Sequence, residues 1–137
     1  MLDKVIATIS GLTFFCPTLY GCVYVVFLDG PIMSESYLKM AVDANLSADL
    51  VCRARGWPAP TMIWSRHAAS LSDASKYHIT EHRDGELRHV STLNISSIKQ
   101  DDLGIYSCTA QNVMGVNSTD FNLTVKSEPV FLLLYTL

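Results

Sequence analysis

Between residues 31 and 126, apolar side chains recur at every second position in short runs cut by turn residues. Leu50, Cys52 and Ala54 alternate with Asp49, Val51, Arg53 and Arg55. Tyr77, Ile79 and Glu81 share one parity, as do Leu93 and Ile95, then Tyr106, Cys108 and Ala110, then Phe121, Leu123 and Val125. A period of two places such residues on one face of a strand, and no stretch carries the 3.6-residue stripe of a helix. Gly56-Trp57-Pro58-Ala59-Pro60 breaks the pattern, because proline fixes φ and removes a ladder donor. Asp84-Gly85 marks a tight turn, and Asn112 and Gly115 bracket another. The chain is therefore expected to be all-β, with about seven short strands packed as an antiparallel sandwich.

Within these runs Trp64 follows Cys52 by twelve residues, Cys108 lies 56 residues after Cys52, and Tyr106 stands two before Cys108. Cys52, Ala54, Gly56, Pro58, Pro60, Met62 and Trp64 form one half-motif. Asp102, Gly104, Tyr106, Cys108, Ala110, Asn112 and Gly115 form the other. With these residues, residues 31–126 resemble the I-set immunoglobulin domains of cell-surface adhesion and receptor proteins. The pattern is most similar to neural adhesion proteins and to the leucine-rich-repeat/immunoglobulin group that includes Kekkon, although this sequence holds no leucine-rich repeat. The resemblance implies an immunoglobulin-like (I-set) sandwich with one inter-sheet disulfide, Cys52–Cys108. It implies that Trp64 packs against the bridge and that the Tyr106 hydroxyl ties back to the chain just upstream. Asp102 and Gly104 belong to the turn before that corner, with Lys76 as the basic partner expected for Asp102. Two departures from the family pattern are tolerable. Met62 stands where Ile or Val is usual, and Met fills gaps adaptably. Asn45 stands where Gly is usual, and Asn is the next best residue for a left-handed backbone.

The flanks differ from this domain. Residues 5–28 carry no charge, with Lys4 before them and Asp29 after, so residues 1–30 are expected to be a signal peptide or an uncleaved signal anchor. Lys4 in front favours a cytoplasmic amino end, which sends the rest of the chain outside in either case. Cys16 and Cys22 then act as apolar filler. Residues 127–137 form an apolar tail, either the start of a truncated transmembrane helix or an unrelated end. Four N-x-[ST] sequons, at Asn45, Asn94, Asn117 and Asn122, agree with an extracellular compartment. Asn94 and Asn122 have the parity opposite to the core residues beside them, so both should face water.

Composition narrows the function classes. A net charge of −3 does not provide the basic face that phosphate binding needs, so no nucleic-acid partner is expected. His78-Ile79-Thr80-Glu81-His82 has the H-x-x-E-H pattern of a zinc peptidase, but that pattern shares a metal only on a helix. On a strand the two histidines stand about 13 Å apart. No other catalytic constellation survives, so neither an enzyme nor a cofactor or metal is expected. Two features are candidates for binding. Trp57, in the proline-rich loop, is either an exposed anchor or a lid over the core. Arg53, Arg55 and Arg66, with His67 nearby, form either a recognition patch or a solvated face. The expected function is an extracellular, non-catalytic protein-binding module for adhesion or receptor recognition. Its partner would be a cell-surface or extracellular protein, a second copy included, with membrane attachment through residues 1–30 if these are retained. A structural spacer or secreted modulator is the alternative.

Overall fold

The computed structural model describes residues 28–35 and 37–126 in full, and the backbone of three earlier strands, β1 (Ile6–Ile9), β2 (Leu12–Thr18) and β3 (Gly21–Val26). These three pair in order as a separate antiparallel sheet. Among the described residues, no helix is long and apolar enough to cross a membrane. The expectations for the side chains of Cys16 and Cys22 and for residues 127–137 lie outside the described residues.

Nine further strands build the sandwich. They are β4 (Asp29–Met33), β5 (Tyr37–Val42), β6 (Ala48–Trp57), β7 (Thr61–Arg66), β8 (Ala69–Ser70), β9 (Tyr77–Asp84), β10 (Arg88–Ile95), β11 (Gly104–Asn112) and β12 (Gly115–Val125). One sheet has the order β4-β6-β10-β9 and the other β5-β12-β11-β7-β8. All pairs are antiparallel except β5 with β12, where Leu38 faces Phe121 and Met40 faces Leu123. The expected antiparallel sandwich is thus present, with this one parallel pair at its edge. The chain leaves β4 at the edge of the first sheet and continues as β5 at the edge of the second. It reaches β12 running in the same direction, so that pair is parallel.

Alternation decides which residues meet in the core. On β6, Leu50, Cys52 and Ala54 are buried, and so are Met62 and Trp64 on β7. Tyr106, Cys108 and Ala110 on β11 and Phe121 and Leu123 on β12 close the same core from the second sheet. Fully burying the larger aliphatic and Phe side chains among them stabilises a fold by about 1.5–3 kcal/mol each. Cys52 and Cys108 form a disulfide across the two sheets, with Cα atoms 6.4 Å apart. Trp64 faces Cys108 across the β7–β11 ladder. Its ring lies 5.2 Å from that of Phe121, and its indole N–H donates to Ser91 Oγ at 2.9 Å. That bond satisfies two polar groups inside an otherwise apolar layer.

The turns follow from local chemistry. Gly85, at φ +83°, makes the turn between β9 and β10. Asn45, at φ 66°, occupies the left-handed region. Asn112 Oδ1 accepts from the Met114 N–H at 2.9 Å, closing the β11–β12 hairpin.

Candidate functional site

At one end of the sandwich, below the disulfide, the chain forms a tied corner. A single 3-10 turn, Gln100–Asp102, precedes β11. The Tyr106 hydroxyl donates to the Asp102 carbonyl at 2.8 Å, and Tyr106 is fully buried. The Asp102 carboxylate accepts from the Lys99 N–H at 2.8 Å and meets Lys76 Nζ at 2.6 Å. Burial alone would raise the Asp102 pKa. The Lys76 and Lys99 hydrogen bonds, with the charges of Lys76 and Arg66, outweigh burial and hold it below the ordinary carboxylate value. Burial and the neighbouring Tyr77 push the Tyr106 phenol well above its ordinary pKa. This corner is structural: the Tyr106 hydroxyl and the Asp102 carboxylate spend their hydrogen bonds within it.

The three arginines of the expected basic cluster are not brought together. Arg53 and Arg55 lie on the outer face of β6 in the first sheet, whereas Arg66 ends β7 in the second. Arg66 stacks over Tyr106, with its guanidinium carbon 5.0 Å from the ring centroid. It also donates to the Asp101 and Leu103 carbonyls. Arg66 therefore belongs to the tied corner and not to a shared patch. His67 lies in the β7–β8 turn at φ 50°. Arg53 pairs with Glu35 at 3.7 Å.

Arg55 and Trp57 do come together, at the opposite end. Trp57 is half-buried, neither fully exposed nor folded over the core. With Arg55, Asp29, Ile32, Gly56 and Leu87 it lines a cleft of about 190 Å³. An adjoining depression of about 380 Å³ is lined by Arg55, Asp84, Glu86, Leu87 and Arg88. Asn112 braces this end: its Nδ2 donates to the Asp29 carbonyl at 2.7 Å and to the Pro58 carbonyl at 3.0 Å. Gly56 fits a close approach, because a Cβ there would come within 3.3 Å of both Asn112 Nδ2 and the Asp29 carbonyl and would press on both. Ile32 and Leu87 were not singled out from sequence. The signal for Leu87 was an apolar residue just after Asp84-Gly85-Glu86, where a polar turn is the norm.

His78 and His82 both lie on β9, a strand, and His78 Nδ1 contacts Asp73 Oδ1 at 2.8 Å. Among the described residues, no group of three or more His, Cys, Asp or Glu side chains is placed to hold a metal. The sequon asparagines occupy different surfaces. Asn45 is exposed in the β5–β6 turn, and Asn117 is exposed on β12. Asn94, half-buried on central strand β10, donates to Asp49 at 2.6 Å. Asn122, half-buried, lies on β12 opposite Ile105 and Lys39.

Known proteins with the same arrangement place it in a family. Residues 31–125 match the immunoglobulin I-set domain. Mouse Roundabout homolog 1 is 33% identical over 76% of this chain, which spans 6% of that protein's length. Human leucine-rich repeats and immunoglobulin-like domains protein 3 is 32% identical over 74% of the chain, here 9% of the relative. Among solved structures, titin domains A168-A170 share 30% identity at a TM-score of 0.63, covering 72% of this chain and 33% of that one. The buried Trp64 beside an inter-sheet Cys52–Cys108 bridge, the Tyr106 corner and the match over residues 31–125 agree. The chain belongs to the immunoglobulin I-set family.

Proposed function

We propose that this chain works outside the cell as a non-catalytic protein-binding module in adhesion or receptor recognition. The observation that carries the reading is the Cys52–Cys108 bridge at the centre of the core, since disulfides persist in oxidising compartments. The I-set relatives support it, and so do four sequons of which Asn45 and Asn117 are exposed. Under this reading residues 1–30 direct the chain outward as a signal peptide or retained anchor, and at least two sequons carry glycans. Glycans on Asn94, paired with Asp49 and His78, and on Asn122, paired with Ile105, would cover both outer faces toward the tied-corner end and leave the Trp57 end for contact. The partner is a cell-surface or extracellular protein, a second copy included.

The spacer reading has one observation in its favour. The similarity extends to one part of a three-domain titin structure. Bead clustering and cell binding separate the two. Beads coated with the full secreted chain are mixed with one another and with a panel of cultured cells. The recognition reading expects clustering or retention on some cells, abolished by unfolding the chain. Neither clustering nor retention would leave the spacer reading.

A further inference from the structure

One row of residues crosses the outer face of the first sheet. Ile32 on β4 faces Arg55 on β6, and Arg55 faces Arg88 on β10, which in turn faces Asp84 on β9. Two of the arginines on this face have their own acids: Arg88 meets Asp84 at 3.1 Å, and Arg53 meets Glu35 at 3.7 Å. Arg55 lies between them, exposed, and forms no ion pair among the described residues. Beside it, Ile32 and Leu87 are 47% and 44% exposed, although each is large and aliphatic. With Trp57 they wall the cleft of about 190 Å³. Small-molecule sites typically run from roughly 300 to 1,000 Å³, so this cleft is sized for a single side chain.

We propose that the Arg55 cleft docks a segment of a partner protein that presents one carboxylate next to one large apolar side chain. The carboxylate takes the guanidinium fork of Arg55, and the apolar side chain fills the space between Ile32, Trp57 and Leu87. This names the partner chemistry of the extracellular binding module and rests on that reading. The local charge argues for a single acid over a polyanion. Glu35 and Asp84 already answer Arg53 and Arg88, while Asp29 and Glu86 line the two depressions without pairing Arg55. A sulfated polysaccharide would meet those acids, whereas one carboxylate meets the one open cation. Asn94 lies six residues along β10 from Arg88, roughly 20 Å away, so a glycan there stays off the cleft, whereas Asn117, whose Nδ2 donates to the Pro31 carbonyl at 3.2 Å, is the sequon on the Ile32 side.

The test uses the full chain recovered from the medium, or detergent-extracted from the membranes, of secreting cells, and its bridge and glycans are checked first. That check reads the extracellular proposal by itself, so the binding result bears on the cleft alone. Beads carry, at high density, hexapeptides with Asp-Phe or Phe-Asp between Gly-Ser flanks, or the Asn-Phe and Asp-Ser controls, or heparin oligosaccharide. The Asp–Phe beads should retain the chain at least ~10-fold more than any control, a difference equivalent to about 1.4 kcal/mol. Arg55→Gln and Leu87→Ser should each remove that difference without shifting the melting temperature by more than a few degrees, since both side chains are exposed. Val116→Ser, on the other sheet, should leave it intact. Equal retention on all peptides, retention unaffected by Arg55→Gln, or stronger retention on heparin would overturn the proposal.

Discussion

Tyr106 shows how much one hydroxyl can do when it is buried. It donates to the Asp102 carbonyl, while the Asp102 carboxylate holds Lys99 and Lys76, and Arg66 covers the ring. Tyr106→Phe leaves that carbonyl without its donor and should destabilise the fold by about 1–2 kcal/mol in urea unfolding, with no change in fold. The same corner sets an acid response. Asp102 has a lower pKa folded than unfolded, so the unfolded chain takes up the proton first as pH falls. Its contribution is present above the ordinary value near 3.8 and is lost as pH falls through the folded value. Asp102→Asn should therefore flatten the fall in melting temperature measured between pH 5 and 2. No flattening would mean that Asp102 titrates alike in both states.

At the scale of elements, the bridge and the braces do different work. Cys52 and Cys108 are 56 residues apart, so their cross-link restricts a long loop of the unfolded chain and should contribute about 4 kcal/mol. Replacing both by alanine should lower the urea midpoint accordingly under matched conditions. Asn112 braces the hairpin at the far end against β4 and the β6–β7 loop. Asn112→Ala should cost about 1 kcal/mol and speed hydrogen exchange at that end first. Alternation made β6, β10, β11 and β12 legible in the sequence, because each has one face in the core, whereas Met62 and Trp64 of β7 were legible through the family motif. It said nothing of β5 lying parallel to β12, since a partner strand leaves no mark on its own sequence. It breaks down at Val90, which is buried although its parity is opposite to that of Ser91, Leu93 and Ile95, the residues that face the core. The arginines were misgrouped for a related reason. Parity says in or out, but which of two sheets carries an outward residue is a tertiary fact, and it separates Arg66 from Arg53 and Arg55.

For the whole molecule, the sandwich is closed by an apolar core and one covalent staple, and its two ends have unlike chemistry. One end is tied by Tyr106, Asp102 and Arg66. The other presents Arg55, Trp57, Ile32 and Leu87 around a cleft. The chain spans less than a tenth of the Roundabout and leucine-rich-repeat relatives, so their full activities belong to far larger assemblies of domains. The central claim, a bridged extracellular I-set module, is tested most directly by intact mass. The full chain is expressed in a secreting eukaryotic cell, and medium, membrane and cytosol are compared without reductant, before and after glycan removal. The expected product is in the medium or on the membrane, loses glycan mass on treatment and contains the Cys52–Cys108 bridge. A reduced, unglycosylated product confined to the cytosol would contradict it.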